Sequence, residues 1–282
     1  MLRRPLVTLA LLGPLLGGCD RFRTPPTPPR PRAVLPTAVT LNPTEDGWVL
    51  AATLTDGEQR DRAVVLVHQL ASDRREWEPL LHRLRAPPAV TTLAVDLRGH
   101  GDSLRGPLGE GVQWTRFGTD PTAWGGVVKD VQAAVAYLAQ QGVSRVVFVG
   151  SSLGASACVG ATAGAVRVDG LVLLSPGLNY HGLEVRPSFA SFLRAGGGGR
   201  RALVLGAAGD PPAAEAVPAL AALGPGRVDA ELFAGERRHG VSLCNARPAR
   251  WDRVETFIRD ALDARRPVAA PTAPAARPAG AR

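Results

Sequence analysis

Six times between residues 63 and 262, a short run rich in Val, Leu and Ala gives way to a longer stretch that suits a helix. The runs are residues 63–68, 90–95, 145–149, 171–174, 202–205 and 228–233; the stretches after them are 76–84, 123–140, 152–163, a segment around 187–194, 213–223 and 248–262. Most of the runs are apolar without alternation, as strands buried on both faces are. Strand and helix in strict succession predict an α/β fold. Its sheet is mostly parallel, with helices on both faces, and its functional groups sit on the loops beyond the carboxyl ends of the strands. An alternating stretch at 48–55 reads as one earlier strand. With 282 residues, 45% of them hydrophobic, the chain can bury one sizeable core and need not divide.

The two ends have a different character. Arg3 and Arg4, an apolar run over 6–16 and small residues up to Cys19 have the layout of an export signal, too short to remain as a membrane span. Leu16-Gly17-Gly18-Cys19 resembles the lipobox of bacterial lipoproteins, in which cleavage leaves the cysteine first and lipid is joined to it. Residues 1–18 are therefore expected to be a signal peptide, and 19–36 a lipidated Cys19 with a proline-rich, extended linker. The folded domain should cover 37–263, and the Pro/Ala/Arg-rich tail 264–282 should be disordered. This layout implies an exported chain anchored by lipid to a bacterial membrane, inner or outer being left open. The glycines at 196–199 read as a flexible turn.

Charge excludes one class of partner. Of 33 basic and 25 acidic residues the ends hold all of the imbalance, leaving 23 of each between Ala33 and Leu262. A neutral body without a basic stripe gives no reason to expect nucleic acid. Export permits a disulfide between Cys158 and Cys244, and two buried thiols are the other reading.

Chemistry enters after the third run. Gly150-Ser151-Ser152-Leu153-Gly154 fits G-x-S-x-G, with Ser152 on a sharp strand-to-helix turn and Ser151 at the variable position. A serine hydroxyl is a weak nucleophile until an adjacent base, held by a third group, takes its proton. Four other loops carry recognisable text: His68-Gln69-Leu70, Asp96-Leu97-Arg98-Gly99-His100-Gly101-Asp102-Ser103, Gly209-Asp210 and His239-Gly240. Together the five segments resemble the α/β-hydrolase fold over essentially the whole folded body, and more closely its compact esterase and dienelactone-hydrolase-like branches.

That resemblance implies a chain order of serine, acid and histidine, which selects Ser152, Asp210 and His239. It implies an oxyanion hole made by the backbone N–H groups of Leu153 and Gln69, where Gln69 departs from the commoner His-Gly spelling. The reaction implied is cleavage of a carboxylic ester through an acyl-enzyme, with no metal or organic cofactor and with a small or extended ester as substrate. The stretch 175–201 is short for a lid domain, so little or no lid is expected. Amide, thioester and lactone cleavage stay open. So do a peptidase and a binding or scaffold lipoprotein that has lost catalysis; nothing fixes the oligomeric state.

Other candidates take quieter roles. His68 and His100 are expected to be structural and His82, on a helix, exposed or merely packed, while His181 either lines the pocket or merely closes a loop. Asp96 and Asp102 belong to the Asp96–Ser103 turn, Asp169 is expected ahead of its strand, Glu215 within a helix and Glu236 as a solvated loop charge. Trp114, Phe117 and Trp124 either form an acyl pocket or anchor the long loop.

Overall fold

The computed structural model describes residues 35–41, 44–163, 167–195 and 199–264. The expected signal segment, Cys19, the linker up to residue 34, the tail beyond Ala264 and residues 196–198 of the glycine run lie outside the described residues.

Eight strands form one sheet: β1 (Thr37–Leu41), β2 (Leu50–Thr55), β3 (Arg62–Val67), β4 (Thr91–Val95), β5 (Arg145–Ser151), β6 (Arg167–Leu174), β9 (Arg201–Ala207) and β10 (Val228–Phe233). Two further strands, β7 (Asn179–Tyr180) and β8 (Leu183–Glu184), make a separate small hairpin. The sheet order is β1-β2-β4-β3-β5-β6-β9-β10, with β1–β2 and β2–β4 antiparallel and every other pair parallel. The helices are α1 (Glu78–Leu84), α2 (Pro121–Gly125), α3 (Val127–Gln140), α4 (Leu153–Gly160), α5 (Val185–Ala195), α6 (Pro211–Ala221), α7 (Val241–Asn245) and α8 (Pro248–Asp263).

The unbroken apolar runs serve both faces of the sheet because successive side chains point to opposite sides. Val65, Val67, Phe148 and Leu171 pack with α3, α4 and α5 residues such as Val131, Leu138, Ala157 and Phe189. Val64, Leu66, Val147 and Val172 pack with Trp77, Leu80, Trp251 and Ile258 on the other. Cys158 belongs to the first cluster and Cys244 to the second; both are free thiols, separated by the sheet. Among the described residues no helix is long and apolar enough to cross a membrane.

Several boundaries differ from expectation. The helix expected over 123–140 is split at Gly126, where a Cβ would collide with the Arg98 guanidinium. β6 starts at Arg167 rather than 171, so Asp169 lies within the strand, ion-paired to Arg145 at 2.6 Å and to Arg167. β1, the β7–β8 hairpin and α7 are additional to the sequence reading.

Candidate active site

The carboxyl ends of β3, β5, β6, β9 and β10 open onto one rim. Four non-glycine residues have positive φ among the described residues: Ala71, Ser152 and Ser175 lie just beyond the ends of β3, β5 and β6, and His181 lies in the β7–β8 turn. Strained backbone of this kind persists only where the surroundings impose it, and it gathers at functional sites.

Ser152 is the sharpest case, at φ 51° and ψ −112° between β5 and α4. Its N–H donates to Leu174 O at 2.9 Å, and its C=O accepts from Ala155 N at 2.9 Å, so strand and helix are both engaged within one residue. The turn closes only because its flanks are glycines. A Cβ on Gly150 would meet the Gly154–Ala155 backbone, and one on Gly154 would strike the carbonyls of Val67 and His68. The serine is thereby presented beside the loop that follows β3. Leu153 is the first residue of α4, where the N–H has no intrahelical acceptor.

His239 follows β10 and Asp210 follows β9. The two are joined: His239 Nδ1 lies 2.6 Å from Asp210 Oδ2. Asp210 is only 7% exposed and the His239 side chain 40%. A carboxylate facing Nδ1 fixes the proton on that nitrogen and leaves the lone pair on Nε2. Gly240, directly after the histidine, reaches the serine turn, since a Cβ there would collide with Ser151 Oγ. Ser152 Oγ has no hydrogen-bond partner among the described residues, as is common before substrate tightens such a site.

A family model of the alpha/beta hydrolases matches residues 64–281. The chain belongs to the alpha/beta hydrolase family. Solved structures agree with the fold. An esterase from Pyrococcus furiosus superposes with a TM-score of 0.60 at 18% identity, covering 81% of this chain and 92% of its own. An alpha/beta hydrolase from Novosphingobium aromaticivorans does so at 0.58 and 17%, covering 80% and 98%. An esterase from Exiguobacterium antarcticum gives 0.55 and 13%, covering 79% and 100%. A comparison with curated protein sequences finds no match.

In this alpha/beta hydrolase the expected second oxyanion donor is already engaged. Gln69 N–H donates to Glu76 Oε1 at 3.0 Å, so that donor is turned into its own loop. Burial pushes the Glu76 carboxyl up to about 7. The next N–H along, that of Leu70, has no acceptor among the described residues. Sequence alone carried no signal for Glu76, because an acid seven residues after Gln69 in a polar stretch reads as surface charge.

The remaining histidines keep the places expected of them. His68 and His100 are buried, and burial holds both imidazoles down to about 4. His68 Nδ1 donates to Gln69 O at 2.7 Å while Nε2 accepts Leu97 N–H at 2.9 Å, which ties the β3 loop to the turn after β4. His82 is exposed on α1. His181 stacks on Trp124, with centroids 5.6 Å apart, and packs edge-on to Tyr180 in the hairpin over α4. Phe117 and Trp124 are buried and Trp114 stacks on His100, so this aromatic group anchors the long loop. Glu236 is pinned by Arg238 and Arg250 at 3.0 and 3.1 Å rather than merely solvated. Beside the β3 loop a cleft of about 640 Å³ opens between Ser72, Glu76, His100 and Trp114, and Ser152 is not among its walls.

Proposed function

We propose that this chain is a serine hydrolase that cleaves a carboxylic ester through an acyl-enzyme, and that it works at the bacterial envelope. The observation that carries the chemistry is the 2.6 Å hydrogen bond from His239 Nδ1 to Asp210, and it is supported by the strained turn at Ser152, whose neighbour Ser151 lies against Gly240, the residue after the histidine. Esterases among the structural neighbours favour an ester over an amide.

In this mechanism Ser152 Oγ attacks the ester carbonyl while its proton passes to His239 Nε2, and Asp210 steadies the imidazolium. The tetrahedral oxyanion is met by the N–H groups of Leu153 and Leu70. Leu70 takes the place expected for Gln69 because the Gln69 N–H is already given to Glu76. His239 then returns the proton to the leaving alkoxide, which departs as the alcohol. Water, deprotonated by the same Nε2, attacks the acyl carbon; the acid leaves and the serine regains its proton.

Turnover of p-nitrophenyl acetate by the full chain tests this reading. Ser152→Ala should lower kcat by about 10⁴-fold or more, as nucleophile removal does in such triads. A variant with near-normal turnover would rule out Ser152 as the nucleophile, and a folded parent without turnover would favour the inactive-scaffold reading. Anchoring rests on the Leu16–Cys19 segment: Cys19→Ala should abolish incorporation of labelled palmitate and release the protein from membranes. Membrane retention without Cys19 would remove the lipid from the account.

A further inference from the structure

Gln69 lies two residues beyond β3 and carries a long polar side chain at a place where three loops converge. Its backbone is held on both sides: N–H donates to Glu76 Oε1 at 3.0 Å, and C=O accepts from His68 Nδ1 at 2.7 Å and from Ser72 N–H at 3.3 Å. From that fixed base the side chain reaches across the rim. Ser151 Oγ donates to Gln69 Oε1 at 3.2 Å. The same Oε1 lies against the Cα of Gly240, where a Cβ would collide with both Gln69 Oε1 and Ser151 Oγ. Gly240 is fixed from its other side by its N–H, which donates to the buried Ser175 Oγ at 2.9 Å.

Ser151 directly precedes the serine and Gly240 directly follows the histidine. One carboxamide therefore touches the turn that presents Ser152 and the loop that presents His239, and it does so from a backbone locked by Glu76 and His68. We propose that Gln69 is a positioning residue: its side chain braces the His239 loop against the Ser152 turn and sets the spacing between base and nucleophile. The inference rests on the serine-hydrolase reading for its kinetic consequence, and on the contacts alone for its structural one. Asp210 fixes the orientation of the imidazole but holds it from the β9 side only. Without Gln69 a void opens between Ser151 and Gly240, and the His239 loop gains room to shift. Misplacement of a reacting group by about 1 Å can cost on the order of 10²-fold in rate.

The test uses the full chain with Gln69→Ala, Gln69→Met and Gln69→Glu. Gln69→Met keeps the length but offers no oxygen acceptor; Gln69→Glu keeps an acceptor and adds charge. Gln69→Ala is expected to lower kcat for p-nitrophenyl acetate by roughly 10- to 10²-fold with KM within about threefold. Gln69→Glu should recover most of that loss and raise the apparent pKa of the base limb of the kcat/KM profile, because a carboxylate nearby favours the imidazolium. Gln69→Met should recover less. Hydrogen exchange of the peptide spanning residues 239–241 should quicken in Gln69→Ala. Unchanged exchange there overturns the brace whether or not the protein turns over an ester. A kcat within twofold of the parent, a rise in KM alone, or a kcat loss that only follows a loss of folded protein on heating also overturns it. If exchange quickens as expected but the parent neither hydrolyses esters nor labels at Ser152, the hydrolase reading fails and the brace stands.

Discussion

At the residue scale the site depends on how little room is left around the serine turn. Gly154 lies so close to the end of β3 that a methyl group would overlap the carbonyls of Val67 and His68. Backbone cannot give way as a side-chain tip can. Gly154→Ala should therefore cost on the order of 3 kcal/mol in urea unfolding and displace Ser152, lowering ester turnover by more than tenfold. A variant of parental stability and rate would show that the turn tolerates the methyl. The two buried histidines make a prediction about pH. Burial depresses both from 6.5 to about 4. Below 6.5 the unfolded chain takes up protons that the folded chain refuses, so this stability is fully present above 6.5 and is lost as pH falls to about 4. His100→Gln should remove one proton's share, up to roughly 3 kcal/mol of pH-dependent stability across that window. Comparing the two proteins cancels the opposing slope from Glu76, whose raised carboxyl gives stability that declines as pH rises from 4.5 to about 7. Identical pH slopes for parent and variant would contradict the assignment.

At the scale of elements, one ion-pair network fastens the turn after β4 to α3. Arg98 is 3% exposed, its Nη2 lies 2.7 Å from the fully buried Asp130 of α3, and its Nη1 lies 2.7 Å from Asp46. Asp130 also accepts the Arg98 backbone N–H at 2.9 Å. Removing one partner of a buried pair strands the other charge. Asp130→Ala should cost about 3–5 kcal/mol, read from the urea midpoint, and a loss below 1 kcal/mol would mean that the network is dispensable. The same arginine packs against Gly126, between α2 and α3, where a Cβ would collide with its guanidinium. The sequence pattern predicts one helix there, and Gly126 keeps helical angles, φ −60° and ψ −27°, so the two pieces follow each other with little interruption. Strands buried on both faces were legible for the reason that they are nearly pure Val, Leu and Ala. β1, the hairpin with two residues on each side, and the five-residue α7 were not, because each is too short for a period to show. Within the site, Ser152, Asp210 and His239 could be selected by motif and order, and the structure joins Asp210 to His239. The Gln69 N–H could not be placed, because its acceptor is a carboxylate on the following 3₁₀ turn.

At the scale of the whole molecule, the sheet keeps two cores apart while its carboxyl rim gathers the loops of β3, β5, β6, β9 and β10. The thiols follow that division. Cys158 and Cys244 lie in opposite cores, and burial pushes the Cys244 thiol up to about 12 and the Cys158 thiol higher still. Dithiothreitol should leave the melting temperature unchanged, and both thiols should react with iodoacetamide only after unfolding; a melting point lowered by the reductant would point to a bridge. The proposed chemistry depends on Ser152, which stands on a strained turn whose neighbour Ser151 lies against Gly240, the residue after the carboxylate-held His239. Treating the full chain with a fluorophosphonate and mapping the adduct by mass spectrometry tests it most directly. Phosphonylation at Ser152, lost in Ser152→Ala and slowed at least 10²-fold in His239→Asn, is the predicted result. A folded protein that takes no label, or takes it at another residue, would contradict it.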